Sequence, residues 1–396
     1  MNIKDVVNNN LCCCCGTCEG ACPSNAIEFD FNGKTWEPYV DVFSCTNCGL
    51  CYDVCPAIRP KDDDGTILGK GIACFVAHST NKQIRMNGSS GGVVTSILVY
   101  MLREKLIDGA IVLGASDDEP WHPEVKIAYT QKDIKSAAQS KYVLYPVNKI
   151  IKDVLKTDKT FAFVGIPCQV QGLKNAMEKN KLLKKRIKYI IGIFCGSNQQ
   201  FLSTAYLVHK FSNKSYYDIE TIKYRDGEHP GYLHITFSDG DDVRISKDKY
   251  GFVTRLFPNF RCHFCIDHTN ELADISVGDA WGQGEEQSSY VIVRSKSMLS
   301  ILDKAEIEKR EIKPRDVAGG QYSMLYNKKV RAVARCSMEE DLFEKVFMFF
   351  DKILRKPWMI RFIFWMPLWF GRFVSWFMKQ FNRIGIKQWR SSLLEM

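Results

Sequence analysis

The aromatic C-terminal region of this chain has no apolar run long enough to cross a bilayer. Its longest uncharged stretch, residues 362–371, is too short and is interrupted by Pro367. The N-terminus does not open with a basic segment followed by an apolar one, so no secretory signal is expected and a reducing cytoplasm is the expected setting. No nucleic-acid reader motif accompanies the basic charge, which argues against that class of partner. Acidic residues are missing from positions 352–390, where Lys352, Arg355, Lys356, Arg361, Arg372, Lys379, Arg383, Lys387 and Arg390 fall. Those nine account for the whole net charge of +9, and the remainder is neutral on formal charge.

What is present is a chain of 396 residues, 45% hydrophobic and 25% charged, the balance of a soluble globular protein of two or three domains. Sixteen cysteines stand out; ten fall in two short runs, and eight of those ten share one spacing. The first run holds Cys12, Cys15, Cys18 and Cys22 followed by Pro23. The second holds Cys45, Cys48, Cys51 and Cys55 followed by Pro56. Both read C-x2-C-x2-C-x3-C-P, the spacing of a bacterial two-cluster ferredoxin. Three thiolates two residues apart wrap a loop around one cubane, and the fourth, past a half turn, points to the other cluster. Cys12, Cys15, Cys18 and Cys55 are therefore expected to hold one [4Fe–4S] cluster, and Cys45, Cys48, Cys51 and Cys22 a second. Disulfides and zinc are the competing readings, and the doubled motif favours neither. Cys13 and Cys14 fit no ligand position and read as spare thiols. Asn32-Gly33 between alternating segments predicts a hairpin between the runs.

Residues 57–70 read as a polar linker and 73–77 as a strand. Gly88, Ser89, Ser90, Gly91 and Gly92 precede a helical pattern at 93–102, a small-residue loop suited either to an anion or to ordinary capping. Buried-strand patterns at 109–114, 161–165 and 189–194, with helical stretches at 169–179 and 201–211, predict a mostly parallel α/β sheet. Cys168 and Cys195 fall just after two of these strands, where ligands of such sheets sit. Cys262 and Cys265 form a CxxC before a short strand, 275–277, that ends at Gly278-Asp279. Alone the CxxC reads as a zinc site, a redox disulfide or nothing; with Cys168 and Cys195 the four cysteines complete a third cluster, the preferred reading. Asp279 and His263 are candidate proton donors, although structural roles suit both better.

Together the motifs resemble the coenzyme F420 hydrogenase/dehydrogenase beta-subunit family, in order over about residues 12–300. The matching segments include Ser89-Ser90-Gly91-Gly92, Ser140-Lys141-Tyr142, Gly165-Ile166-Pro167-Cys168-Gln169, Gly192-Ile193-Phe194-Cys195-Gly196 and Ala273-Asp274-Ile275-Ser276-Val277-Gly278-Asp279. The resemblance implies an iron–sulfur flavoprotein oxidoreductase binding FAD. It implies that Gly88 to Gly92 and Ser140, Lys141 and Tyr142 contact the flavin, with Cys168, Cys195, Cys262 and Cys265 holding a nearby cluster. It also implies a redox partner protein or ferredoxin on one side and a small-molecule hydride acceptor, such as coenzyme F420, on the other. Distant relatives reduce other molecules, and some occur beside polysaccharide-synthesis genes, so the acceptor does not carry over. An electron-transfer subunit with no substrate site of its own is the alternative.

The expected architecture is an α+β ferredoxin-like dicluster domain over residues 1–60 and an α/β flavin-binding domain with a mostly parallel sheet over 71–335. A basic, aromatic, amphipathic helical tail follows over 340–396, suited to an anionic membrane interface, to the protein's own core or to a partner.

Overall fold

A computed structural model describes residues 3–60, 65–282, 287–337 and 342–380. Its strands, in chain order, are β1 (Ile27–Phe31), β2 (Trp36–Val40), β3 (Ala73–Ser79), β4 (Gly109–Ala115), β5 (Pro123–Ala128), β6 (Phe161–Gly165) and β7 (Ile187–Ile193). After them come β8 (Ile219–Asp226), β9 (Tyr232–Phe237), β10 (Asp242–Ser246), β11 (Ile275–Asp279), β12 (Ser289–Val293) and β13 (Ile307–Ile312).

The pair β1–β2 is the expected antiparallel hairpin, with Phe31 opposite Trp36. The Asn32 side chain accepts hydrogen bonds from the amides of Lys34 and Thr35, so the turn spans 32–35 rather than two residues. Alternation along β1 turns Ile27 and Phe29 into a small core with Val40 and several cysteines.

The large sheet has the order β13-β3-β12-β11-β7-β6-β4-β5. Its centre, β11-β7-β6-β4, is parallel as expected, and both flanks add antiparallel strands. Five of the eight strands share one direction. The sheet is buried on both faces, which is why its strands read as continuous apolar runs. Ala110 and Val112 face one layer, where Ile97, Leu98 and Met101 of the helix Val93–Arg103 pack. Ile111, Phe161 and Phe163 face the other, against Val170, Leu173 and Ala176 of the helix Pro167–Lys179. Each of the Val, Leu, Ile, Phe and Met side chains contributes about 1.5–3 kcal/mol, the alanines less. Because β6, β7 and β11 are parallel, their carboxyl ends emerge along one edge.

The antiparallel sheet β10-β9-β8 carries a further core with Phe201, Tyr206, Phe252 and Phe257. The helices Leu342–Leu354 and Pro357–Trp365, and a helical run over 368–380, close over it. Phe347, Met348, Leu354, Ile363 and Met378 are buried in that core, whereas Trp358, Trp365, Trp369, Phe373 and Trp376 are exposed. No described helix is long and apolar enough to cross a membrane. The basic residues Arg383, Lys387 and Arg390 lie outside the described residues. In the expected linker, positions 61–64 are likewise outside, and Leu68 is buried against Cys74 and Ile292 rather than solvated.

Candidate functional site

The two N-terminal cysteine runs build the same local structure twice. Each loop passes through a left-handed glycine, Gly16 (φ +84°) or Gly49 (φ +77°), into a short helix, Thr17–Ala21 or Leu50–Asp53. Cys22 joins Cys45, Cys48 and Cys51 around one recess, with Pro23 and Ser24 on its wall. Cys55 neighbours the other set. Burial first, then the nearby sulfurs of Cys15 and Cys55, hold the Cys12 thiol above its ordinary range. Burial, then Cys15, pushes Cys55 up to about 12. Cys18 is raised by burial and by Cys15, Cys12 and Cys55, with Cys51 of the other set next. All sixteen cysteines are unpaired, so none forms a disulfide.

The four remaining candidates also converge. Cys168 opens the helix after β6, Cys195 follows β7, and Cys262 lies within the short helical turn Phe260–Phe264, which Cys265 caps. Their residues line a single cavity of about 300 Å³ together with Cys13, Cys336, Arg261 and Lys328. Burial, partly offset by Lys328, pushes Cys195 up to about 12. At Cys168 a hydrogen bond from Cys13 pulls the pKa down, but burial prevails and lifts it to about 11. Among the described residues no group of three or more His, Cys, Asp or Glu side chains is arranged to hold a metal ion as it stands. The sulfurs instead line a space between them. Lys328, 2% exposed, donates to the Cys262 carbonyl at 3.2 Å and supplies a buried positive charge suited to an anionic cluster. It lies in a π-helical stretch, Asn327–Arg331, that carries no local sequence signature. Cys13, read from sequence as a spare thiol, is part of this cavity wall.

The two segments expected at a flavin meet each other. Ser140 donates its amide to Ser89 Oγ at 2.7 Å, and the Ser90 and Ser289 hydroxyls are 2.8 Å apart. The helix Val93–Arg103 starts at Gly92 (φ +70°) with no side-chain cap. Gly91 is required by packing: a Cβ there would lie 2.5 Å from the Ala77 carbonyl oxygen. Lys141 turns away from the loop, its ammonium bonded to the carbonyls of Ala137, Ala138 and Gln139, while burial brings its pKa to about 7. Tyr142 is held by Arg225, a residue that no sequence motif singles out. Arg225, 1% exposed, donates to the Tyr142 hydroxyl and to Asp279 at 2.9 Å each and to the Ser89 carbonyl at 2.7 Å. Asp279 is therefore an ion-pair partner. Likewise His263 is bonded to the tail residue Asp351 at 3.1 Å. Both proton-donor candidates have structural partners.

Comparison with known proteins places this geometry. Residues 74–152 match the family model for the N-terminal part of the coenzyme F420 hydrogenase/dehydrogenase beta subunit, and residues 158–317 match the model for its C terminus. The chain is 29% identical over 249 residues to coenzyme F420 hydrogenase subunit beta of Methanosarcina barkeri, covering 60% of this chain and 80% of that one. It is 27% identical over 320 residues to the coenzyme F420-dependent sulfite reductase of Methanocaldococcus jannaschii, covering 77% of this chain but only 48% of the reductase. A chain of the F420-reducing [NiFe] hydrogenase complex from M. barkeri superposes with a TM-score of 0.56 at 25% identity, over 70% of this chain and 94% of that one. The cysteine runs and the tail lie outside the matched models.

Proposed function

The chain belongs to the coenzyme F420 hydrogenase/dehydrogenase beta-subunit family, an oxidoreductase family, and we propose that it is an iron–sulfur flavoprotein with three [4Fe–4S] clusters and FAD. In this reading it exchanges electrons with a redox partner protein or ferredoxin at the N-terminal module and with a soluble hydride acceptor, coenzyme F420 or another small molecule, at the flavin. The observation that carries the reading is the third cysteine set. Residues from three separate stretches, Cys168, Cys195 and the Cys262/Cys265 pair, line one cavity whose wall also includes Cys13, Pro56 and Pro60 of the cysteine-rich module. Bound clusters carry one electron each and a flavin one or two, so together they would pair single electrons for a two-electron acceptor.

The chain's own residues have distinct tasks. The cysteines ligate, and Lys328 offsets negative charge beside the third set. Arg225 fixes the Ser89 loop, Tyr142 and Asp279 in one arrangement at the proposed flavin contacts Gly88 to Gly92 and Ser140 to Tyr142. Anaerobic purification with flavin, iron and sulfide analysis tests the reading: it expects about twelve irons per chain and a bound flavin.

A second reading, an electron-transfer subunit that lacks its own substrate site, is favoured by the solved relative's origin in a hydrogenase complex. Turnover with an artificial donor and no partner would exclude it. For the tail we propose peripheral contact with an anionic membrane. Trp358, Trp365, Trp369 and Trp376 are exposed, and Arg361 and Arg372 interleave with them, while the opposite face is buried in the protein.

A further inference from the structure

The second cysteine set reaches the surface. Cys48 is exposed and Cys45 half-buried, whereas Cys15, Cys18 and Cys55 of the first set are buried. Apolar side chains stand in water beside it. Phe43, two residues before Cys45, is 97% exposed, Tyr39 61% and Val42 59%. Hydrogen bonds fix the turn that presents them. Asp41 donates its amide to the Ala26 carbonyl at 2.9 Å, and its own carbonyl accepts the Cys45 amide at 3.1 Å. Its carboxylate accepts the Phe43 amide at 3.0 Å. Phe43 is thus held outward by an ordered turn, which forgoes the stabilisation that burying a phenyl ring supplies. The charge next to this patch has one sign. On the outer face of the β1–β2 hairpin Glu28 lies opposite Tyr39, and Asp30 lies opposite Glu37. Like charges directly across a strand pair are destabilising. Among the described residues none of these three carboxylates has an ion-pair partner. Residues 1–60 carry seven acidic side chains against three basic ones, a net −4 in a chain of +9.

We propose that Tyr39, Val42 and Phe43 are the apolar centre of a docking face beside the second cysteine set, and that its occupant is a one-electron carrier protein with a lysine- and arginine-rich rim. The proposal rests on the reading of Cys22, Cys45, Cys48 and Cys51 as a cluster site, and it names the partner of the N-terminal exchange. Charge decides between the candidate occupants. An acidic ferredoxin meets a face of its own sign, and so does the same face of a second copy, whereas a basic rim answers the unpaired carboxylates. The apolar centre excludes water and sets how long the encounter lasts, while the carboxylates set how often it occurs. One electron crosses per encounter. The carrier's centre and the cluster change by one unit in opposite senses, and no bond forms or breaks.

The probes are a basic c-type cytochrome and the same cytochrome with its lysines succinylated, which reverses its charge and keeps its haem. Calorimetry measures binding of the basic form to the anaerobically purified full chain. Stopped flow follows oxidation of the stoichiometrically reduced chain by each form. At low salt the basic form should bind and should oxidise the chain about tenfold faster than the succinylated one, with the advantage shrinking at high salt. The chain's overall charge of +9 favours the opposite order, so the expected order reports the local face. Phe43→Ala should weaken binding of the basic form by about tenfold, the loss typical of an aromatic anchor. Asp30→Lys with Glu37→Lys should invert the order of the two rates at wild-type iron content. Cys48→Ser should slow oxidation by the basic form. Rates that are equal for the two forms, or faster with the succinylated one, would overturn the proposal, and that comparison needs no variant. Binding unchanged in Phe43→Ala, or oxidation unchanged in Cys48→Ser, would also overturn it. So would salt-sensitive self-association of the wild type that is lost on removing residues 342–396, because the occupant would then be the basic tail of another copy. A wild-type chain with no iron–sulfur absorbance is a separate outcome, which removes the cluster reading and the proposal with it.

Discussion

Replacing Lys328 with methionine removes a buried positive charge beside the third cysteine set while keeping most of the side-chain stem. Burial disfavours the ammonium, but the sulfurs of Cys265, Cys262 and Cys195 outweigh it and hold the pKa above the ordinary lysine value, so the charge is permanent at neutral pH. The size of its effect follows from Coulomb's law. At a separation of about 7 Å and an effective dielectric of about 20, one unit of charge interacts with the ammonium by about 2.4 kcal/mol. Adding one electron to a cluster at this site changes its charge by one unit. Lys328→Met should therefore lower the potential of the third cluster by about 100 mV, a one-electron couple changing tenfold per 59 mV. Lys328→Arg should restore most of it. EPR-monitored titration reads the shift, and iron analysis checks that the cluster is retained. A potential that stays put with full iron content would refute the electrostatic role. So would an equal shift at the cluster that Cys48→Ser removes, because that set has no contact with Lys328.

Arg225→Met should leave the Asp279 carboxylate and the Tyr142 hydroxyl without their shared partner; chemical denaturation should show a loss of about 3 kcal/mol, and flavin content should fall. Removing residues 342–396 should abolish sedimentation with anionic liposomes at low salt; a full-length chain that never sediments would exclude the membrane contact. Asp351 supplies a pH test. Burial alone would raise its pKa, but the His263 hydrogen bond and the Arg355 guanidinium prevail and hold it below the usual carboxylate range. Its ionised form is therefore favoured in the fold, and the stability it supplies is present above pH of about 4 and lost as the pH falls below that. The stability gap between wild type and Asp351→Asn should shrink in acid, and a gap that widens there would contradict the assignment.

How much of this was legible in the sequence depended on how local each signal is. The cysteine runs specify their own loops, so the crossed grouping of Cys22 with Cys45, Cys48 and Cys51 could be read from spacing alone. Cys168 and Cys195 were legible because parallel strands emerge on one edge and both cysteines follow such strands. Arg225 and Lys328 were not legible. Arg225 sits near the end of β8, and its partners Tyr142, Ser89 and Asp279 are far away in the chain, so only the tertiary fold brings them together. The antiparallel flanks of the large sheet escaped notice for a related reason. β13 reads Ile-Glu-Lys-Arg-Glu-Ile, a charged edge strand with little apolar alternation. The tail's two-sidedness was visible, but not which face would be covered: Ile363 is buried while Trp365, two residues on, is exposed.

The central claim is that Cys168, Cys195, Cys262 and Cys265 hold a cluster of their own. Iron and acid-labile sulfide should be counted per chain in anaerobically purified wild type and in Cys195→Ser. The account predicts about twelve irons falling to about eight, with the two N-terminal clusters intact in the variant. About eight irons in both proteins, or zinc in place of the difference, would contradict it.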